Sequence, residues 1–93
     1  MLTSRKKKQQ INPNENTSQG WTLILHNDDV NSFDYVIEQL VSYCNHTAVQ
    51  AEQCALITHY KGKCDVLVGE MAKLEGVKKQ LQEKMLTVTI DIL

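Results

Sequence analysis

Two short polar groups carry the residue types that could do chemistry. The first is His26, Asn27, Asp28 and Asp29, which sets two carboxylates beside an amide and an imidazole. Carboxylate and amide oxygens accept hydrogen bonds, so such a group suits a cationic guest. Catalysis would need a nucleophile with an oriented base, or two carboxylates across a cleft with separated pKa values. Neighbouring positions at one strand end do not supply that geometry, and the expectation is a binding protein and not an enzyme. The same residues also suit a plain strand-to-helix turn, with Asx side chains bonding local backbone and Asp34 favouring a helix N-terminus. The second group is His59, Tyr60, Lys61, Gly62 and Lys63, in which a lone histidine near a helix end is weak evidence by itself.

Metal chemistry is tested by spacing. Asn27, Asp29, Asn31 and Glu38 fall at positions one, three, five and twelve of an EF-hand-like loop. Position six is Ser32 where the sharp turn calls for glycine, position one is Asn where Asp is usual, and a strand precedes the loop where a helix should. Cys44, Cys54 and Cys64 are odd in number and lack the paired C-x-x-C spacing of a zinc or thioredoxin-like site, so free thiols are expected. No metal and no cofactor is expected.

The elements that must position these groups follow from periodicity. Trp21, Leu23 and Leu25 alternate as one face of a first strand. After a turn-rich segment, Asn31 or Ser32 can cap a helix whose Phe33, Val36, Ile37, Leu40, Val41 and Cys44 recur at helical spacing. Thr47 to Gln50 has capping-box form, Ala51, Cys54, Ala55 and Thr58 then share a face, and Gly62 is placed to end this second helix. Cys64, Val66 and Val68 alternate as a second strand. Leu74, Val77, Leu81 and Met85 mark a third helix, and Leu86, Val88, Ile90 and Ile92 a last strand. The predicted order is βααβαβ: an α+β domain with three helices packed on one face of a three-stranded antiparallel sheet.

With 93 residues there is material for one core, and 42% apolar with 23% charged residues lies in the ordinary globular range. A net charge of −1 gives no global pull toward nucleic acid or anionic lipid. Residues 1–20 hold the lone proline and few apolar side chains, which predicts a flexible N-terminal tail before a domain over 21–93. The tail's Arg5, Lys6, Lys7 and Lys8 could touch phosphates or an acidic partner, although solvated tail residues are the favoured explanation. No stretch approaches the roughly 18 apolar residues of a membrane span, and the basic run does not lead into an apolar signal core. A cytoplasmic protein without membrane contact is expected.

Read together, the two polar groups resemble the signature of the ClpS family of Clp protease adaptors. That family has an N-D-D-x-T-P-M stretch before one helix and an H-x-x-G-K stretch after the next. Here these stand as Asn27-Asp28-Asp29-Val30-Asn31-Ser32-Phe33 and His59-Tyr60-Lys61-Gly62-Lys63, and the resemblance covers about residues 21–92. It implies recognition of N-terminal degrons, free chain ends that begin with Leu, Phe, Tyr or Trp, and their delivery to a ClpA-type AAA+ unfoldase. It places the degron's α-amine at Asn27, Asp28, Asp29 and His59, and the first side chain in a pocket of Asn31, Phe33, Ala55, Thr58 and Leu86. Glu70 corresponds to a family position that contacts the unfoldase.

Asn31, Ser32 and Phe33 stand where the family usually has Thr, Pro and Met, and the link before the last strand is shorter than usual. These departures keep open a regulator that docks on the unfoldase without reading degrons. A phosphate- or RNA-binding interaction protein that uses the basic tail is the other alternative.

Overall fold

The computed structural model describes residues 20–93. The predicted tail, its basic run at residues 5–8 and the phosphate-binding reading lie outside the described residues apart from Gly20. Three strands and three helices follow in the predicted order: β1 (Trp21–His26), α1 (Phe33–Tyr43), α2 (Ala48–Lys61), β2 (Lys63–Gly69), α3 (Met71–Glu83) and β3 (Thr87–Ile92). The sheet order is β2-β1-β3 with both pairings antiparallel, so β1 is central. Among the described residues no helix is long and apolar enough to cross a membrane.

The helix starts follow local chemistry. Ser32 caps α1 by accepting from the Tyr35 N–H at 3.1 Å. Thr47 and Gln50 form the predicted capping box on α2, each side chain taking the other's backbone N–H. Gly62, with φ 95°, ends α2 in the left-handed conformation that a residue with a Cβ enters at a cost. The core is built from Leu23 and Leu25 of β1, Val66, Val88, and Leu40, Ala51, Leu74 and Leu81 of the helices. The helices therefore cover one face of the sheet, as expected.

Two details depart from the expected periodicity. In β2 the register passes from Leu23↔Leu67 to Ile24↔Asp65, so Val66 is an extra residue without a partner. This bulge keeps Val66 in the core and leaves Val68 exposed, against the predicted alternation of Cys64, Val66 and Val68. The Val66 carbonyl is met instead by buried His46, whose Nε2 lies 2.7 Å away and must carry the proton, because a carbonyl only accepts. The third helix also stops before Met85. There the chain turns through a left-handed residue, and Leu86 belongs to that turn, ahead of β3.

Candidate functional site

A pocket of about 500 Å³ opens at the C-terminal end of β1, between the start of α1 and the end of α2. The tie that builds it is a backbone hydrogen bond, in which the Asn27 N–H donates to the Gly62 carbonyl at 2.9 Å. This bond carries the antiparallel pairing of His26 with Lys63 one step beyond the strand. It brings the two polar groups, thirty or more positions apart in sequence, to one mouth. Asn27, Asp28, Asp29 and His59 all line the pocket.

The mouth is polar and partly organised in advance. Asp28 Oδ1 accepts from the backbone N–H groups of Val30 at 2.9 Å and Asn31 at 3.0 Å, and its Oδ2 accepts from Asn31 Nδ2 at 3.1 Å. Partial burial pushes the Asp28 carboxyl up, but these donors outweigh it and hold its pKa below the ordinary value. A carboxylate offers about four acceptor positions, so at least one remains beyond these three bonds. Asn27, Asp29 and His59 are exposed, and their side chains make no hydrogen bond with other described residues. The His59 ring meets Tyr60 edge-on, with centroids 4.9 Å apart.

The interior is apolar. Ala55 and Thr58 are buried on the face of α2 that looks into the pocket, and the Thr58 hydroxyl donates to the Cys54 carbonyl at 2.8 Å. With its hydroxyl engaged within the helix, Thr58 has no free O–H to offer the pocket. Phe33, 39% exposed, and Asn31 line the side nearest α1. Leu25, Val36 and Tyr60 also line the pocket and were not predicted there. Val36 follows Phe33 by three positions on one helix face, which is the signal that could have found it. Leu25 was assigned to the core, and it serves both.

Leu86 is the predicted pocket residue that the structure places elsewhere. Its N–H returns to the Leu81 carbonyl at 3.0 Å, and its side chain, 4% exposed, joins the core beside Val88. In such a helix end the residue after the left-handed position folds back onto the last turn, which directs Leu86 inward and away from the pocket. The neighbour that reaches the site is Met85, whose carbonyl accepts from Asn31 Nδ2 at 2.9 Å. Glu70 is exposed at the start of α3, where its side chain makes no capping bond. It follows Gly69, which pairs with Trp21, and so lies at the opposite end of the sheet from the pocket.

Among the described residues, no group of three His, Cys, Asp or Glu side chains is placed to hold a metal ion, and all three cysteines are free. Burial, with Cys54 close by, pushes the Cys44 thiol up to about 11. Burial, a hydrogen bond with Cys54 and the nearby charge of Asp65 push Cys64 up to about 12. Thiols held that high are protonated at neutral pH and poor nucleophiles.

Comparison with known proteins agrees with this architecture. Residues 16–89 match the family model described as ATP-dependent Clp protease adaptor protein ClpS. The chain is 30% identical over 79 residues to an ATP-dependent Clp protease adapter protein ClpS of Pectobacterium carotovorum subsp. carotovorum, covering 83% of this chain and 71% of the relative. With the ClpS of Edwardsiella ictaluri it shares 38% identity over 55 residues, which is 57% of this chain and 52% of the relative. In fold it is similar to the structure of Agrobacterium tumefaciens ClpS2 bound to L-phenylalaninamide, with a TM-score of 0.74 at 20% identity over 82% of this chain and 99% of that one. A match over most of the chain and relatives at this identity have one reading: the chain belongs to the ClpS family of adaptor proteins of the ATP-dependent Clp protease.

Proposed function

We propose that the chain is a non-catalytic cytoplasmic adaptor that captures proteins by a free N-terminus with a bulky apolar first residue and hands them to a ClpA-type unfoldase. The observation that carries this reading is the junction at Asn27 and Gly62, which puts unengaged polar side chains at the mouth of an apolar pocket. An α-amine is mostly protonated at neutral pH, since its reference pKa is about 7.7–8.0, and it calls for acceptors. The Asn27 carbonyl oxygen, the remaining Asp28 position and a neutral His59 nitrogen are the acceptors within the site, with Asp29 adding negative charge. Phe33, Ala55 and Thr58, with Asn31 at the edge, receive the first side chain.

The related fold bound to L-phenylalaninamide supports the same pairing, because that molecule joins a free amine to a benzyl group and has no carboxylate. Burying such a side chain contributes roughly 1.5–3 kcal/mol, and each hydrogen bond to a charged group roughly 1.5–3 kcal/mol. After the entropy loss of association, an affinity near micromolar is within reach.

Fluorescence anisotropy with labelled peptides that begin with Leu, Phe, Tyr, Trp, Ile or Ala, each free and N-acetylated, tests the reading. Acetylation removes the charge and leaves buried acceptors without a donor, so binding of the bulky-first peptides is expected to fall by about a hundredfold. If no peptide binds better than Ala-first or its acetylated form, the degron role is wrong. The chain is then an unfoldase-docking regulator.

A further inference from the structure

Met85 occupies a position that helix ends usually give to glycine. α3 closes on a paired return, in which the Met85 N–H donates to the Gln82 carbonyl at 2.9 Å and the Leu86 N–H to the Leu81 carbonyl at 3.0 Å. That geometry needs a left-handed residue between the helix and the return, and Met85 takes it with φ 72°. A side chain with a Cβ is strained there and glycine is not, as the end of α2 illustrates with Gly62 at φ 95°. The Met85 side chain does not offset the strain by packing, for it is 69% exposed. Backbone strain that the surrounding structure holds in place, and that the side chain does not repay, is the kind of feature that clusters at functional positions.

The turn is also attached to the site through Asn31 and to α1 through Tyr35. Asn31 Nδ2 donates both to Asp28 Oδ2 at 3.1 Å and to the Met85 carbonyl at 2.9 Å. The Tyr35 hydroxyl donates to the Lys84 carbonyl at 2.9 Å. Val30, the residue before Asn31, is 77% exposed. Two residues with exposed apolar side chains therefore adjoin Asn31, Val30 along the chain and Met85 through its carbonyl, and Asn31 itself lines the pocket. Neither Val30 nor Met85 belongs to the pocket lining, so what they can touch is the part of a bound chain that lies outside it.

We propose that Met85, together with Val30, forms a subsite for an apolar second residue of the captured chain. The subsite rests on the degron reading above. The flexible thioether adapts its shape to different apolar side chains. Each methylene equivalent removed from water is worth about fourfold in affinity, so partial cover of a leucine gives a preference of about three- to tenfold over asparagine of similar size.

The test uses the full chain, and peptides that begin Phe-Leu, Phe-Asn or Phe-Gly before a common labelled tail, each free and N-acetylated. They are titrated by anisotropy against the wild type, Met85→Gly and Met85→Asn. Both substitutions suit a left-handed position and remove the apolar side chain. Expected is a three- to tenfold preference for Leu over Asn in the wild type, reduced to within about twofold in both variants, while acetylation still lowers binding by about a hundredfold. Met85→Gly should melt at least as high as the wild type, which separates lost contact from lost structure. A wild type indifferent to the second residue, or a preference that survives in both variants, overturns the subsite and leaves the degron reading standing. Free peptides that bind no better than acetylated ones overturn both.

Discussion

Asn31 donates to two acceptors at once, and the consequence falls on Asp28. Its side chain supplies one of the three N–H donors that hold the Asp28 carboxyl below its ordinary value, and its backbone N–H supplies another. A folded pKa below the unfolded one means that Asp28 contributes stability above about pH 4. That contribution is lost as the pH falls through the folded value. Asn31→Ala keeps the backbone donor and removes the side-chain donor, so the Asp28 pKa should move up toward the ordinary carboxylate value. The acid limit of the loop should move with it. A carboxyl carbon NMR titration of the two proteins checks this, and an Asp28 midpoint unmoved by Asn31→Ala would refute it. That Asn27 and Asp28 suit a cation was legible in residue type. How many acceptor positions Asp28 has left was not, because it depends on a turn closed by groups two and three residues away.

At the scale of elements, the ends were more legible than the faces. Ser32, Thr47, Gln50 and Gly62 act through their immediate neighbours, so their capping roles could be read from spacing. The bulge at Val66 could not, since an unpartnered residue is defined by the opposite strand. His46 belongs to the same long-range class, as its imidazole answers a carbonyl twenty residues away. Removing it leaves the buried Val66 carbonyl without a donor, so His46→Ala should lower the unfolding free energy by about 1–3 kcal/mol for the lost bond. Thr47→Ala, which removes a solvent-exposed cap, should cost about 1 kcal/mol. Urea unfolding of both variants gives the comparison, and a His46→Ala variant as stable as the wild type would mean that the bulge carbonyl finds another donor.

Over the whole molecule, the sheet separates two surfaces. β2 runs from Lys63, beside the pocket, to Gly69, just before Glu70, and seven residues of strand span roughly 20 Å. A partner docked around Glu70 would leave the pocket mouth open, as an adaptor that carries one protein to another requires. Glu70→Arg is therefore expected to weaken capture by a ClpA-type unfoldase and to leave affinity for a Phe-first peptide within about twofold. Ala55→Leu, which fills the buried floor of the pocket, should do the reverse. Pull-down with the unfoldase and peptide anisotropy on the same two variants read both sides, and loss of both activities in either variant would contradict the separation.

The sequence by itself determined the element order, the capped helix starts and the two polar groups, because each rests on interactions within a few residues or on the period of a single strand or helix. It also carried the family resemblance, through residue types at fixed offsets such as Asn27-Asp28-Asp29 and His59 with Gly62. Only the tertiary structure decided which residue of the Met85–Leu86 pair turns inward, because the left-handed return after α3 sends Leu86 to the core and leaves the Met85 side chain exposed. It likewise decided that Leu25 and Val36 line the pocket, and that Asn31 ties the pocket loop to that turn. Those outcomes depend on which distant backbone groups come within hydrogen-bonding reach, and periodicity along one chain holds no record of that.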